Sequence, residues 1–123
     1  MENNIENTSK ELVGIVTEAL EAKKGMDIVV LDISKVSIIA DYFVIATGSN
    51  INQIKALSDE VYEKISQSSY EVKQIEGYEK ANWILMDCKD VIVHIFDKES
   101  RDFYDLQRIW SDAKEIELTY FLK

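Results

Sequence analysis

Two short apolar segments on either side of a tight turn, WILMD at 83–87 and VIVHIF at 91–96, constrain this chain more than any other feature. Side chains alternate across a strand, so a hairpin built from these segments sorts its residues onto two faces. The spacing predicts a turn at Asp87-Cys88-Lys89-Asp90, with Met86 opposite Val91, Leu85 opposite Ile92, Ile84 opposite Val93 and Trp83 opposite His94. One face then carries Ile84, Met86, Val91, Val93 and Ile95 and is wholly apolar, so it is expected against a core. The other carries Trp83, Leu85, Asp87, Ile92, His94 and Phe96. That mixture of indole, imidazole and carboxylate is poor core material and reads as a contact surface, because Trp is enriched at partner interfaces.

The segment that follows divides in the same way. Ser100 suits an N-cap, opening a helix toward Trp110. Phe103, Leu106 and Trp110 recur at spacings that place them on one inward face. Arg101, Tyr104 and Arg108 recur on another, giving a basic-aromatic stripe immediately after the Trp83 face.

The remaining pattern alternates helix and strand signals. Thr8-x-x-Glu11 fits a capping box, so the first helix is expected to begin at Thr8 and the polar residues 1–7 to be disordered. Leu12, Val16, Ala19 and Leu20 form its apolar stripe, and Gly25 is the expected stop. Strands are expected at 27–33, 42–47 and 70–75. A second helix opens at the capping box Asn50-x-x-Gln53 and buries Ile51, Ile54, Leu57, Val61 and Ile65. Residues 115–121 fit an edge strand or an extension of the last helix equally well. The order is α-β-β-α-β-β-β-α. It predicts a single α/β domain over residues 8–123, a mixed central β-sheet flanked by helices. Absence of Pro and a count of only four Gly leave no segment with linker character.

Charge narrows the partner class. Fourteen basic against 23 acidic side chains give a net charge of −9, which opposes broad contact with nucleic-acid phosphate. It favours a basic protein partner, since opposite potentials steer encounter. The run from Asp59 to Glu79, with six acids and two lysines, reads as a solvated helix face and loop. No apolar stretch has the length of a membrane span, and the first residues lack a signal-peptide pattern, so a cytoplasmic location without membrane contact is expected. One cysteine, Cys88, excludes an internal disulfide.

Catalytic constellations are weak. Gly48-Ser49 at a strand-to-helix junction is placed like a phosphate cradle, in which free N–H groups hold an anion. A nucleotidyltransferase-like enzyme would also need a carboxylate pair on the next strand, and Lys73 stands there instead. The simpler reading is that Gly48 relieves a close approach while Ser49 or Asn50 caps the helix. His94 is the single histidine and has no nucleophile or further ligand at a suitable spacing. No catalytic residue, metal or cofactor is expected. A small nucleotidyltransferase-like enzyme using the Gly48-Ser49 turn is the alternative. A homodimer through the Trp83 face or the edge near residues 115–121 is a third reading.

Several segments together resemble the ribosomal silencing factor family, also called Iojap-like. They are Ala40-Asp41-Tyr42-Phe43-Val44-Ile45-Ala46-Thr47-Gly48-Ser49, Glu76-Gly77, Trp83 through Asp87, Asp90 through Phe96, and Arg101-x-Phe103-Tyr104-x-Leu106 through Trp110. They spread over nearly the whole chain in a specific order. The resemblance implies a nucleotidyltransferase-like topology without enzymatic activity. It also implies a translational repressor that binds the large ribosomal subunit through ribosomal protein uL-fourteen and blocks joining of the small subunit. Trp83 and Tyr104 match the family's contact positions, with Cys88 at the turn where the family often has an aliphatic residue. The partner surface expected from face, stripe and resemblance together is Trp83, Asp87, Cys88, His94, Arg101 and Tyr104.

Overall fold

A computed structural model describes the backbone of residues 2–122 and the side chains of residues 9–122. The elements are α1 (Glu2–Ala22), β1 (Met26–Asp32), β2 (Tyr42–Thr47), α2 (Ile51–Ser66), β3 (Gln74–Glu76), β4 (Trp83–Asp87), β5 (Val91–Phe96), α3 (Lys98–Tyr104), α4 (Leu106–Ile109) and β6 (Lys114–Ile116). A single 3₁₀ turn, Leu118–Tyr120, follows. The strands form one six-stranded sheet in the order β3-β4-β5-β2-β1-β6. The β2–β5 pair is parallel and the other pairs are antiparallel, so the sheet is mixed, as the alternation of elements implies. Residues 115–121 resolve into both a short edge strand on β1 and the terminal turn.

Helices α1 and α2 cover one face of the sheet. Leu12, Val13, Val16, Ala19 and Leu20 of α1 meet Ile54, Leu57, Val61 and Ile65 of α2 over Val44, Ala46, Ile84, Met86, Val91, Val93 and Ile95. The apolar hairpin face is therefore the floor of the main core, and all five of its residues are fully buried. Ile51, expected on the buried face of α2, is exposed in its first turn.

Local geometry corrects several expected boundaries. Helix α1 is continuous from Glu2, ahead of Thr8; the Thr8 side chain, and with it that capping box, lies outside the described side chains. Its C-terminus closes on Lys24, not Gly25. The Gly25 N–H donates to the Leu20 carbonyl at 2.8 Å and the Lys24 N–H to that of Glu21 at 3.0 Å, while Lys24 takes the left-handed conformation (φ 62°). The strand expected at 70–75 is confined to Gln74–Glu76, because Tyr70 and Val72 pack against the core edge before pairing begins.

Gly48 is a packing requirement. A Cβ there would lie 2.6 Å from Ile54 Cγ1 and 3.2 Å from the Ile54 backbone nitrogen, so glycine lets β2 pass directly under the start of α2. Asn50 caps α2, accepting from the Gln53 N–H at 2.8 Å, and Gln53 Oε1 returns to accept from the Ser49 N–H.

Candidate functional site

The hairpin register differs from expectation by two residues. Met86 faces Val93, Leu85 faces His94, Ile84 faces Ile95 and Trp83 faces Phe96. The turn contracts to Lys89-Asp90, closed by the Cys88 N–H donating to the Val91 carbonyl at 3.0 Å. Asp87 stays in β4, where its carboxylate accepts from the Lys89 N–H at 2.9 Å and supports the left-handed Lys89 (φ 75°). A shift of two preserves the alternation, so both faces keep their expected residues.

The second face is more than a surface. Its inner part is a smaller core in which Phe96 joins Leu31, Ile33, Ala40, Phe43, Ile45 and Leu106. Trp83 and Ile92 pack on its border, half-buried, and Leu85 and Asp87 are half-buried further toward the turn. His94, expected on the partner surface, is instead 4 % exposed, edge-on to Phe43 at 4.6 Å and stacked parallel to Phe96 at 6.2 Å. Cys88 is also displaced from that surface. It ends the hairpin on the main-core side and is buried there, and burial pushes its thiol up to about 12, with the Asp87 carboxylate adding to the shift.

The segment after β5 breaks where the heptad-like spacing predicted continuity. Asp97, not Ser100, is the N-cap of α3, accepting from the Ser100 N–H at 2.7 Å. Asp105 then adopts a left-handed conformation (φ 46°) and divides α3 from α4. The break rotates the two halves relative to one another. Leu106 goes inward and Trp110 packs edge-on to Phe43 at 5.2 Å, but Phe103 points out, 79 % exposed. The expected inward position of Phe103 is thus corrected. Asp is among the residues that enter this conformation most readily, which is the sequence signal for the break.

Tyr104 and Trp83, read from two separate patterns, are in direct ring contact. Their rings are 4.6 Å apart between centroids, and Tyr104 is 39 % exposed. Phe103 stands perpendicular to Tyr104 at 5.0 Å, extending the aromatic surface outward. Trp83 is held from three sides: Tyr104, Phe96 at 5.0 Å, and His94, whose Nδ1 accepts from the indole Nε1–H at 3.1 Å.

Arg101 lies near this surface but is already engaged. It donates to Thr47 Oγ1 at 2.7 Å, the Asp27 carbonyl at 2.9 Å and Gln107 Oε1 at 3.0 Å, tying α3 and α4 to β1 and β2. Its burial lowers its pKa, opposed by the acids Asp27, Asp102, Asp105 and Glu115. Arg108, beyond the break, is exposed. The connection between β1 and β2 adds apolar surface that the pattern of strands passed over: Val36, Ile38 and Ile39 are exposed. That connection ends at Asp41, whose N–H donates to the Asp90 carbonyl beside the hairpin turn.

The Gly48-Ser49 turn is occupied by its own helix. The Gly48 N–H donates to the Phe96 carbonyl, and the Ser49 N–H and hydroxyl both donate to Gln53. An anion held there would have to displace those partners. Among the described residues, no three of His, Cys, Asp and Glu come together as a metal-binding group. Also among the described residues, no helix is long and apolar enough to cross a membrane.

The family described as "Ribosomal silencing factor during starvation" matches residues 6–123. The ribosomal silencing factor of Halalkalibacterium halodurans is 37 % identical over 111 residues, covering 90 % of this chain and 95 % of that protein. That of Bacillus subtilis is 35 % identical over 111 residues, covering 90 % and 94 %. A crystal structure of a protein from Chromobacterium violaceum superposes with a TM-score of 0.81 at 37 % identity, over 82 % of this chain and 84 % of that one.

Proposed function

The chain belongs to the ribosomal silencing factor family, and from that premise we propose how it silences. It docks on the large ribosomal subunit through ribosomal protein uL-fourteen and occupies ground that the small subunit needs for joining. No bond is made or broken, and the protein acts in the cytoplasm as a regulatory factor. The net charge of −9 suits a basic protein partner and disfavours direct contact with RNA.

One observation carries this reading: Trp83 and Tyr104 form a packed aromatic pair at the border of the second core, flanked by the exposed ring of Phe103. Aromatic anchors held on rigid elements, Trp83 on β4 and Tyr104 on α3, lose little entropy on binding, which is why such residues dominate interface energies. Asp87 lies on the same face of β4 as Trp83 and serves the rim. Buried His94 supports Trp83 from beneath, Cys88 packs in the main core at the hairpin end, and Arg101 fixes the helix that carries Tyr104.

Co-sedimentation with purified large subunits tests the site. Trp83→Ala and Tyr104→Glu should each weaken binding by about 2–4 kcal/mol, enough to abolish co-sedimentation, while circular dichroism stays native. Undiminished binding by both folded variants rejects the assignment.

A further inference from the structure

We infer that His94 is the positioning residue of the docking surface: it holds the Trp83 indole in one pose with its N–H turned into the protein, so that a partner meets only apolar ring. The inference rests on the docking role proposed for Trp83.

The argument begins with hydrogen-bond chemistry. An indole nitrogen only donates, so His94 Nδ1, 3.1 Å from Trp83 Nε1, must offer a lone pair. A neutral imidazole with a free Nδ1 carries its proton on Nε2. Nε2 is buried and has no hydrogen-bond partner among the described residues. A buried donor left without an acceptor is costly, and such exceptions call for an explanation. A ring whose purpose is only to fill the core would be better served by phenylalanine, which fits the stacking on Phe96 and the edge contact with Phe43 and buries no polar atom of its own. The function that imidazole adds at this position is the acceptor at Nδ1.

That acceptor settles the direction of the Trp83 ring. Tyr104 at 4.6 Å and Phe96 at 5.0 Å restrain the indole by ring contact, which tolerates sliding and flipping. A hydrogen bond at the ring edge does not. With the single polar group of Trp83 already satisfied internally, a partner gains nothing by presenting an acceptor there. The complementary group is an aliphatic or aromatic side chain.

Three variants test this with two independent readouts. The first is the Trp83 indole ¹H–¹⁵N resonance and its solvent exchange in the free protein; the second is affinity for large subunits. His94→Phe keeps the ring and removes the acceptor. His94→Asn restores an acceptor near the Nδ1 position. Trp83→Phe identifies the Trp83 resonance against that of Trp110 and removes the donor. The expected result is a shifted, faster-exchanging indole in His94→Phe, with binding about three- to tenfold weaker and the melting temperature not lowered. His94→Asn should recover the resonance and much of the affinity. In the Trp83→Phe background, the change at residue 94 should no longer affect binding. An indole that stays protected in His94→Phe overturns the inference and leaves the docking site standing. A released indole with wild-type affinity overturns it as well. If Trp83→Ala itself binds subunits normally, the docking reading has failed, and the positioning role fails with it.

Discussion

Because His94 is the single histidine and is sealed beneath Trp83, it gives the fold a measurable pH dependence. Burial lowers its pKa from 6.5 to about 4. The unfolded chain therefore takes up a proton below its ordinary pKa that the folded protein refuses until about pH 4. More protons on the unfolded state mean that stability falls as pH falls. The contribution is fully present above the unfolded pKa, is lost progressively through the interval, and is gone below the folded one. The displacement corresponds to about 3 kcal/mol in total, of which about 2 kcal/mol disappears between neutral pH and about pH 5. Urea unfolding followed by circular dichroism across this range, in the wild type and in His94→Phe, isolates this contribution. Carboxylate titration is common to both proteins and cancels in the difference. The wild type should lose about 2 kcal/mol more than the variant on going to about pH 5. Parallel pH profiles for the two proteins would refute the reasoning. So would an imidazole that titrates near its ordinary value by NMR in the native state.

Two further predictions test the packing. Gly48→Ala places a methyl group 2.6 Å from Ile54 Cγ1 and 3.2 Å from backbone, so thermal unfolding should show a loss of about 1–3 kcal/mol. An unchanged melting temperature would mean that the start of α2 yields freely. Cys88, buried and with its thiol raised to about 12, should resist a thiol reagent in native protein at neutral pH and react at once in urea. Rapid native labelling would contradict the packing of the hairpin end.

The alternation of 83–87 and 91–96 by itself determined the two hairpin faces, although the register it suggested was off by two residues. Parity is a local property: moving the partner strand by two residues leaves every side chain on its face. The turn itself depended on which residue closes it. There, an Asp87 side chain bonding forward to Lys89 kept Asp87 in the strand. The Asn50-x-x-Gln53 cap and the apolar stripes of α1 and α2, Ile51 excepted, were legible too, because capping and amphipathicity act within a few residues.

What escaped the sequence was anything set by a second layer. Trp83, His94 and Phe96 share a face, and alternation alone cannot say that Leu106 and Trp110 would close over its inner part, beside Phe43 of the adjacent β2, and leave Trp83 at the border. That closure turned His94 from a surface residue into a buried support. The outward turn of Phe103 followed from one left-handed residue, Asp105, which dissolved a helical periodicity that looked continuous. Periodicity assigns a residue to a side of its own element. Only the packing of elements against one another decides whether that side meets protein or water.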